Sequence, residues 1–247
     1  MFESPLIFIL LLILLGLVAF FYASVGHGGA SGYLAIMGIF SFSPVIMKPT
    51  ALLLNILVSG IAFYFYYKAK EFKWNLFYPF ALTSIPFAFL GGFISIETYY
   101  YKILLGLVLI LSVIKILGFN RDTEINFKKI NNVQAYGIGA FIGFLSGLIG
   151  IGGGIILSPI VLLLRWGSMK EVAAVSALFI FVNSIAGIIG FLSNGGNMPI
   201  SSIPIISVVF LFGIAGAFYG SKKFNNSILR YILSFVLCIA IIKLIII

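Results

Sequence analysis

Two glycine-rich segments hold the residues whose types and spacing can do chemistry. The first reads Val25-Gly26-His27-Gly28-Gly29, and the second Ile149-Gly150-Ile151-Gly152-Gly153-Gly154. Each follows a long apolar stretch and precedes a shorter one. Glycine admits positive φ and close ligand approach, so each segment reads as a helix break. A helix that starts just after such a break presents unpaired backbone N–H groups and the positive end of its dipole. Near a membrane midplane that is an anion site requiring no buried lysine. Two breaks facing each other would clamp one small anion from both sides. The competing explanation is helix packing, since glycine is frequent in membrane helices. A single break favours packing; two at matching places favour a site.

Side chains near the breaks extend this picture. His27 is the sole histidine. It either donates to the anion, or carries a coupled proton, or simply bonds a loop carbonyl. Its counterpart is Ile151, so the repeat does not demand histidine. Asn55 and Asn183 occupy similar points of their helices, and intramembrane amides bind ligands or join helices. Ser59 and Ser184 lie beside them, with Thr50 and Ser176 nearer the helix starts; such hydroxyls usually bond their own helix. The candidate substrate-binding set is therefore Gly26, His27, Gly28, Gly29, Asn55, Gly150, Gly152, Gly153, Gly154 and Asn183.

What is missing narrows the chemistry. The six acids lie at helix ends or in loops, whereas cation relays place carboxylates deep in the span. One His and one Cys cannot build a metal pathway, and lone Cys238 gives no disulfide framework. No Walker A sequence is present and no GxSxG elbow. A Ser24–His27 dyad rests on proximity alone. The expectation is no enzyme, no metal and no cofactor.

The elements that position these residues are membrane helices. The chain has 247 residues, 62% hydrophobic and 9% charged, more apolar surface than a soluble core can bury. No charged residue lies between Glu3 and Lys48, Lys73 and Glu97, Lys129 and Arg165, or Glu171 and Lys222. A helical span takes roughly 20 residues. Alternating polarity of the β-barrel kind is absent, and the N-terminus, with Glu3 and no basic region, reads as a retained helix. The fold class expected is all-α integral membrane: about eight long helices and two short re-entrant or broken ones. The long helices are expected at 6–23, 49–67, 76–93, 101–117, 133–148, 172–191, 203–219 and 227–247, and the short ones at 33–42 and 155–164.

Charge placement orients them. The net charge of +9 would suggest nucleic acid in a soluble protein, but here topology accounts for it and no nucleic-acid partner is expected. Basic residues concentrate at Lys68, Lys70 and Lys73, at Arg121, Lys128 and Lys129, at Arg165 and Lys170, and at Lys222 and Lys223. The turn after the first short helix has only Lys48, and 193–199 has none. If the rich loops are cytoplasmic, the helix at 133–148 and its short successor make no net crossing. The same rule for the first half puts both termini outside. The chain then divides into a first repeat at 1–119, a cytoplasmic linker at 120–132 and a second repeat at 133–247, of inverted topology, in the cell membrane.

The paired breaks, the short helix with Ser158-Pro159, the Ala…Asn helices and the basic turn resemble the TauE/SafE sulfite-exporter family. Gly150-Ile151-Gly152-Gly153-Gly154 with Pro159 is similar to that family's second-half pattern. The first half departs from it, reading His27-Gly28-Gly29-Ala30 with no proline following. The resemblance implies a secondary transporter of sulfite or an organosulfonate. The residues by themselves lead to a small anionic substrate, a lipid bilayer and alternating access. A passive channel built from the same half-helices, or a membrane subunit needing a partner, stays open. The small residues of the third helix in each half would serve a homodimer as readily as internal packing.

Overall fold

The computed structural model describes residues 5–94, 127–197 and 203–225 except 41 and 43, with single positions at 97, 100, 227, 228, 231, 232 and 235. Within them the chain is helical, without strands: α1 (Pro5–Ser24), α2 (Ala30–Ile39), α3 (Pro44–Lys68), α4 (Trp74–Phe93), α5 (Asn132–Ile149), α6 (Gly154–Leu163), α7 (Met169–Ser193) and α8 (Ile203–Lys222). Six of these are long and apolar enough to cross a bilayer, with α2 and α6 the short exceptions. The helices expected at 101–117 and 227–247, and Cys238 with them, lie outside the described residues.

Local chemistry moves several boundaries from where the sequence put them. The first short helix begins at Ala30, three residues earlier than expected, because Gly29 in the left-handed region starts it at once. α3 begins at Pro44 and carries Pro49 inside its N-terminal part, so Lys48 is a helix residue and not a turn residue. α7 begins at Met169, closed by a capping box: Ser168 Oγ accepts from Glu171 N–H, and the Glu171 carboxylate accepts from Ser168 N–H. That places Lys170 in its first turn.

Small residues set the helix pairing. On α5, Gly139, Gly143 and Gly147 recur every four residues, and a Cβ on any of them would run into the α4 backbone at Phe80, Ser84 or Ala88. Gly91 returns the contact against Phe144. On α8, Gly216 and Gly220 meet the carbonyls of Phe20 and Ser24 on α1. Backbones this close exchange dispersion contacts that larger side chains would prevent. Other packing partners among the described residues are α3 with α7 and α8, α4 with α7, α5 with α7, α1 with α2 and α3, and each short helix with the long helix after it.

The basic loops share one face. Lys128 N–H donates to the Arg165 carbonyl (2.8 Å), joining the segment before α5 to the turn after α6. Lys73 pairs with Glu171 (3.6 Å) and Lys170 with Glu71 (3.9 Å). Lys170 also donates to the Ser221 carbonyl near the end of α8. α5 and α6 thus start and finish on the same face. At the opposite face lie the start of α3 and the ends of α4 and α7, where Lys48 Nζ approaches the Gly92 carbonyl (3.4 Å) and the Phe191 ring (5.7 Å).

Candidate functional site

The first break is a helix stop followed at once by a helix start. Gly26 sits at φ 75°, its N–H donating to Ala23 O, while His27 N–H donates to Tyr22 O (2.8 Å). This reciprocal pair is the Schellman arrangement, which needs a left-handed residue that only glycine adopts without strain. Gly29 repeats the left-handed turn at φ 97° and launches α2. Gly26 has a second constraint, since a Cβ there would strike the Ala173 carbonyl on α7.

The second break is built alike. Gly150 ends α5 at φ 86°, with its N–H on Ser146 O. Gly152 and Gly153 are left-handed at 73° and 79° before α6 starts at Gly154. All residues from 25 to 30 and from 150 to 154 are buried.

Asn55 joins the two breaks. Its Oδ1 accepts from Ala30 N–H (3.0 Å), capping α2 from another helix. Its Nδ2 reaches Ser184 Oγ on α7 (3.4 Å). A Cβ on Gly28 would overlap this amide, and one on Gly152 would lie 2.7 Å from Nδ2. Gly28, Ala30, Asn55, Gly152 and Ser184 therefore converge. Ser59 is not part of the cluster, because its hydroxyl donates to Asn55 O within the helix (2.6 Å).

His27 belongs to a different chain of bonds. Nδ1 lies 2.9 Å from Val25 O, which can only accept, so Nδ1 carries the proton. In the neutral ring Nε2 is then the acceptor for Ser158 Oγ–H (3.3 Å), and Ser158 Oγ is 2.8 Å from Ser176 Oγ. The Gly154 backbone also contacts the ring. Ser24 takes no part: its hydroxyl donates to Phe21 O, and no dyad with His27 forms. The first break therefore reaches across to α6 and α7 of the second half through His27.

Buried polar atoms ordinarily find partners. Beside the breaks, three side chains have none among the described residues. Both amide atoms of Asn183 are unpartnered at 0% exposure, as are Tyr33 OH and Ser146 Oγ. Asn183 lies on α7 next to Ser184 and one turn after Ile180, both of which touch Gly152. The Tyr33 hydroxyl lies over Gly29, and Ser146 faces Gly153. Sequence reasoning named Asn183 but missed Tyr33 and Ser146. Their signal was available: each is a polar side chain one turn from a break.

Six apolar spans packed around two buried breaks define a multi-pass membrane protein, and the chain is similar to proteins described as probable membrane transporters. A family model described as Sulfite exporter TauE/SafE matches residues 11–244, so the chain belongs to the TauE/SafE family. It is 37% identical over 231 residues to the probable membrane transporter protein y4hK of Sinorhizobium fredii, covering 92% of this chain and 94% of that one. It is 29% identical over 199 residues to the probable membrane transporter protein MJ0441 of Methanocaldococcus jannaschii (76% and 74% covered). Against the probable membrane transporter protein YunE of Bacillus subtilis the identity is 23% over 208 residues (75% and 76%). No solved structure matches the chain.

Proposed function

We propose that this protein carries a small sulfur-containing anion, of the sulfite or organosulfonate kind, by alternating access, with the anion held between the two glycine breaks. One observation carries the reading: the two breaks meet at Asn55, while Asn183, Tyr33 and Ser146 border them with polar atoms that have no partner among the described residues. Amide N–H and hydroxyl groups are donors suited to anion oxygens. The two halves differ in a useful way. The first N–H of α2 is already capped by Asn55, whereas Asn183, at the corresponding place in the second half, has nothing to cap. The anion therefore sits at the start of α6, at Gly152, Gly153 and Gly154, within reach of the Asn183 amide. Gly26, Gly28, Gly29 and Gly150 shape the breaks, and His27 ties them together. The sulfur comes from the family.

The transport cycle rocks one inverted repeat, 1–119, against the other, 133–247. Helix pairing supports this division. Exchanging the halves turns α4 on α5 into α8 on α1, α4 on α7 into α8 on α3, and α2 on α3 into α6 on α7, and each of these pairs is present. The hairpin of α5 and α6, closed at Lys128–Arg165, fits a re-entrant element. No role as an enzyme is proposed.

The test is thermal stabilisation of purified protein against sulfite, sulfate, thiosulfate, sulfoacetate, taurine, acetate and phosphate. Binding to the folded state stabilises by about 2.7 kcal/mol at a hundred times Kd. A selective shift with a sulfur anion, lost in Gly152→Leu, is expected. Saturable counterflow in proteoliposomes would follow for a carrier. Ohmic conductance would replace the carrier with a pore, and no shift with any anion would remove the site.

A further inference from the structure

Lys48 is the one basic residue that the described structure places at the face opposite the basic loops, and it lies inside α3 beside the second break. Its side-chain stem packs on Gly150: a Cβ there would sit 3.1 Å from Lys48 Cγ. The ammonium rests on two weak partners, the Gly92 carbonyl of α4 at 3.4 Å and the ring of Phe191 on α7 at 5.7 Å. No carboxylate among the described residues pairs with it; the ion pairs there involve Lys73 and Lys170 at the other face. An ionisable residue in a membrane helix is energetically costly, and residues of this kind mark substrate or ion pathways.

The α3 stripe that carries Lys48 leads to the centre of the molecule. Leu52 follows one turn on, fully buried, touching Gly150 and Gly187. Asn55 comes next, against Gly28 and Gly152. Seven residues separate Lys48 from Asn55, about 10 Å of helix rise. Along α3, then, a cation, a buried apolar side chain and an amide cluster follow one another from the helix start toward the breaks. The corresponding stripe on α7 runs the other way. Ser176, seven residues before Asn183, bonds Ser158 and through it His27. The α3 stripe therefore carries a cation where the α7 stripe carries a hydroxyl bonded to a buried hydroxyl–imidazole chain.

We propose that Lys48 is the first docking point for the anion on the face opposite the basic loops, drawing it past Leu52 toward the breaks. The inference rests on the anion-carrier reading above. Lys48 reaches α4 and α7 through contacts that are individually weak, so an arriving oxyanion can take over the ammonium without breaking an ion pair. Substrates would be those of net negative charge, and a zwitterion such as taurine would gain less than sulfite or sulfoacetate.

The experiment compares wild type, Lys48→Met and Lys48→Arg in proteoliposomes, with right-side-out and inverted transporters separated by membrane-impermeant block. Sulfite uptake and its dependence on ionic strength are read together. The wild-type KM from the Lys48 face should rise with salt as screening sets in. Lys48→Met should raise that KM about tenfold and flatten its salt dependence, leaving entry from the basic face less affected. Lys48→Arg should restore both. A Lys48 that only caps the end of α4 would change the melting temperature of the Met variant, with no change in the salt slope, and that result overturns the proposal. So does an unchanged KM while wild type still transports sulfite. If wild type neither binds nor moves any oxyanion, the anion reading itself falls and this inference with it. Should Lys48→Met fold poorly, Lys48→Gln with the same salt titration decides the matter.

Discussion

At the scale of residues, Asn55 and Asn183 make the sharpest contrast. They are the same side chain in corresponding helices, yet Asn55 bonds through both amide atoms and Asn183 has no partner among the described residues. Asn55→Leu strips the cap from Ala30 N–H and leaves that donor buried, so it should lower stability by about 1–3 kcal/mol. Asn183→Leu removes an amide that bonds nothing among the described residues. It should leave the melting temperature unchanged or raise it slightly, while abolishing stabilisation by the anion. Melting curves of the two variants with and without sulfite check both statements, and a destabilised Asn183→Leu would mark that amide as structural. The break glycines differ among themselves as well. Gly150 has tolerable room against the flexible Lys48 stem but a φ of 86°, so Gly150→Ala should cost about 1–2 kcal/mol of backbone strain. At Gly28 φ is not positive, and the obstacle is the Asn55 amide itself; Gly28→Ala should therefore disrupt the cluster, with loss of transport exceeding that of Gly150→Ala.

At the scale of elements, the close helix pairs decide whether the breaks meet. Gly143 on α5 and Gly216 on α8 both sit against the backbone of the neighbouring helix. Valine at either position must push two helices apart, and each substitution should destabilise by about 1–3 kcal/mol or more. Gly137 supplies the control on α5, because nothing lies within 4 Å of a Cβ there. Gly137→Ala should be neutral or stabilising by about 0.5–1 kcal/mol, through helix propensity alone. Folded yield and melting temperature of the three variants give the comparison. α7 owes its start to Ser168 and Glu171, and Ser168→Ala should cost about 1 kcal/mol.

At the scale of the whole molecule, the grouping of basic loops makes a topological prediction. In a Cys238→Ser background, single cysteines at Lys70, Lys129 and Lys223 should react with an impermeant thiol reagent from one side of the membrane only. One at Asn197 should react from the other side. Lys129 and Lys223 labelling from opposite sides would undo the hairpin of α5 and α6, and the inverted repeat along with it.

Much of the architecture could be read from the residues because its causes are local. Long uncharged apolar runs read as helices in lipid, and the glycine clusters at 26–29 and 150–154 read as interruptions, so α1 to α8 and both breaks follow from composition and spacing. The shared face of Lys70, Lys128, Arg165 and Lys222 follows as well, since charge on loops is settled by the membrane and not by packing. Helix starts set by caps were less legible, as at Ser168 or at Gly29, because one side chain or one φ angle decides them. What only tertiary structure decided is which polar group bonds which. Nothing in the spacing distinguishes Asn55 from Asn183. Whether an amide meets Ala30 N–H or meets nothing depends on how far α3 and α7 slide past the breaks. Nor does the sequence send His27 to Ser158, 131 positions away, or lay Lys48 along Gly150. Such contacts depend on ångström-scale offsets between helices. Those offsets come from which small residues let two backbones touch, a property of helix pairs that no single segment carries.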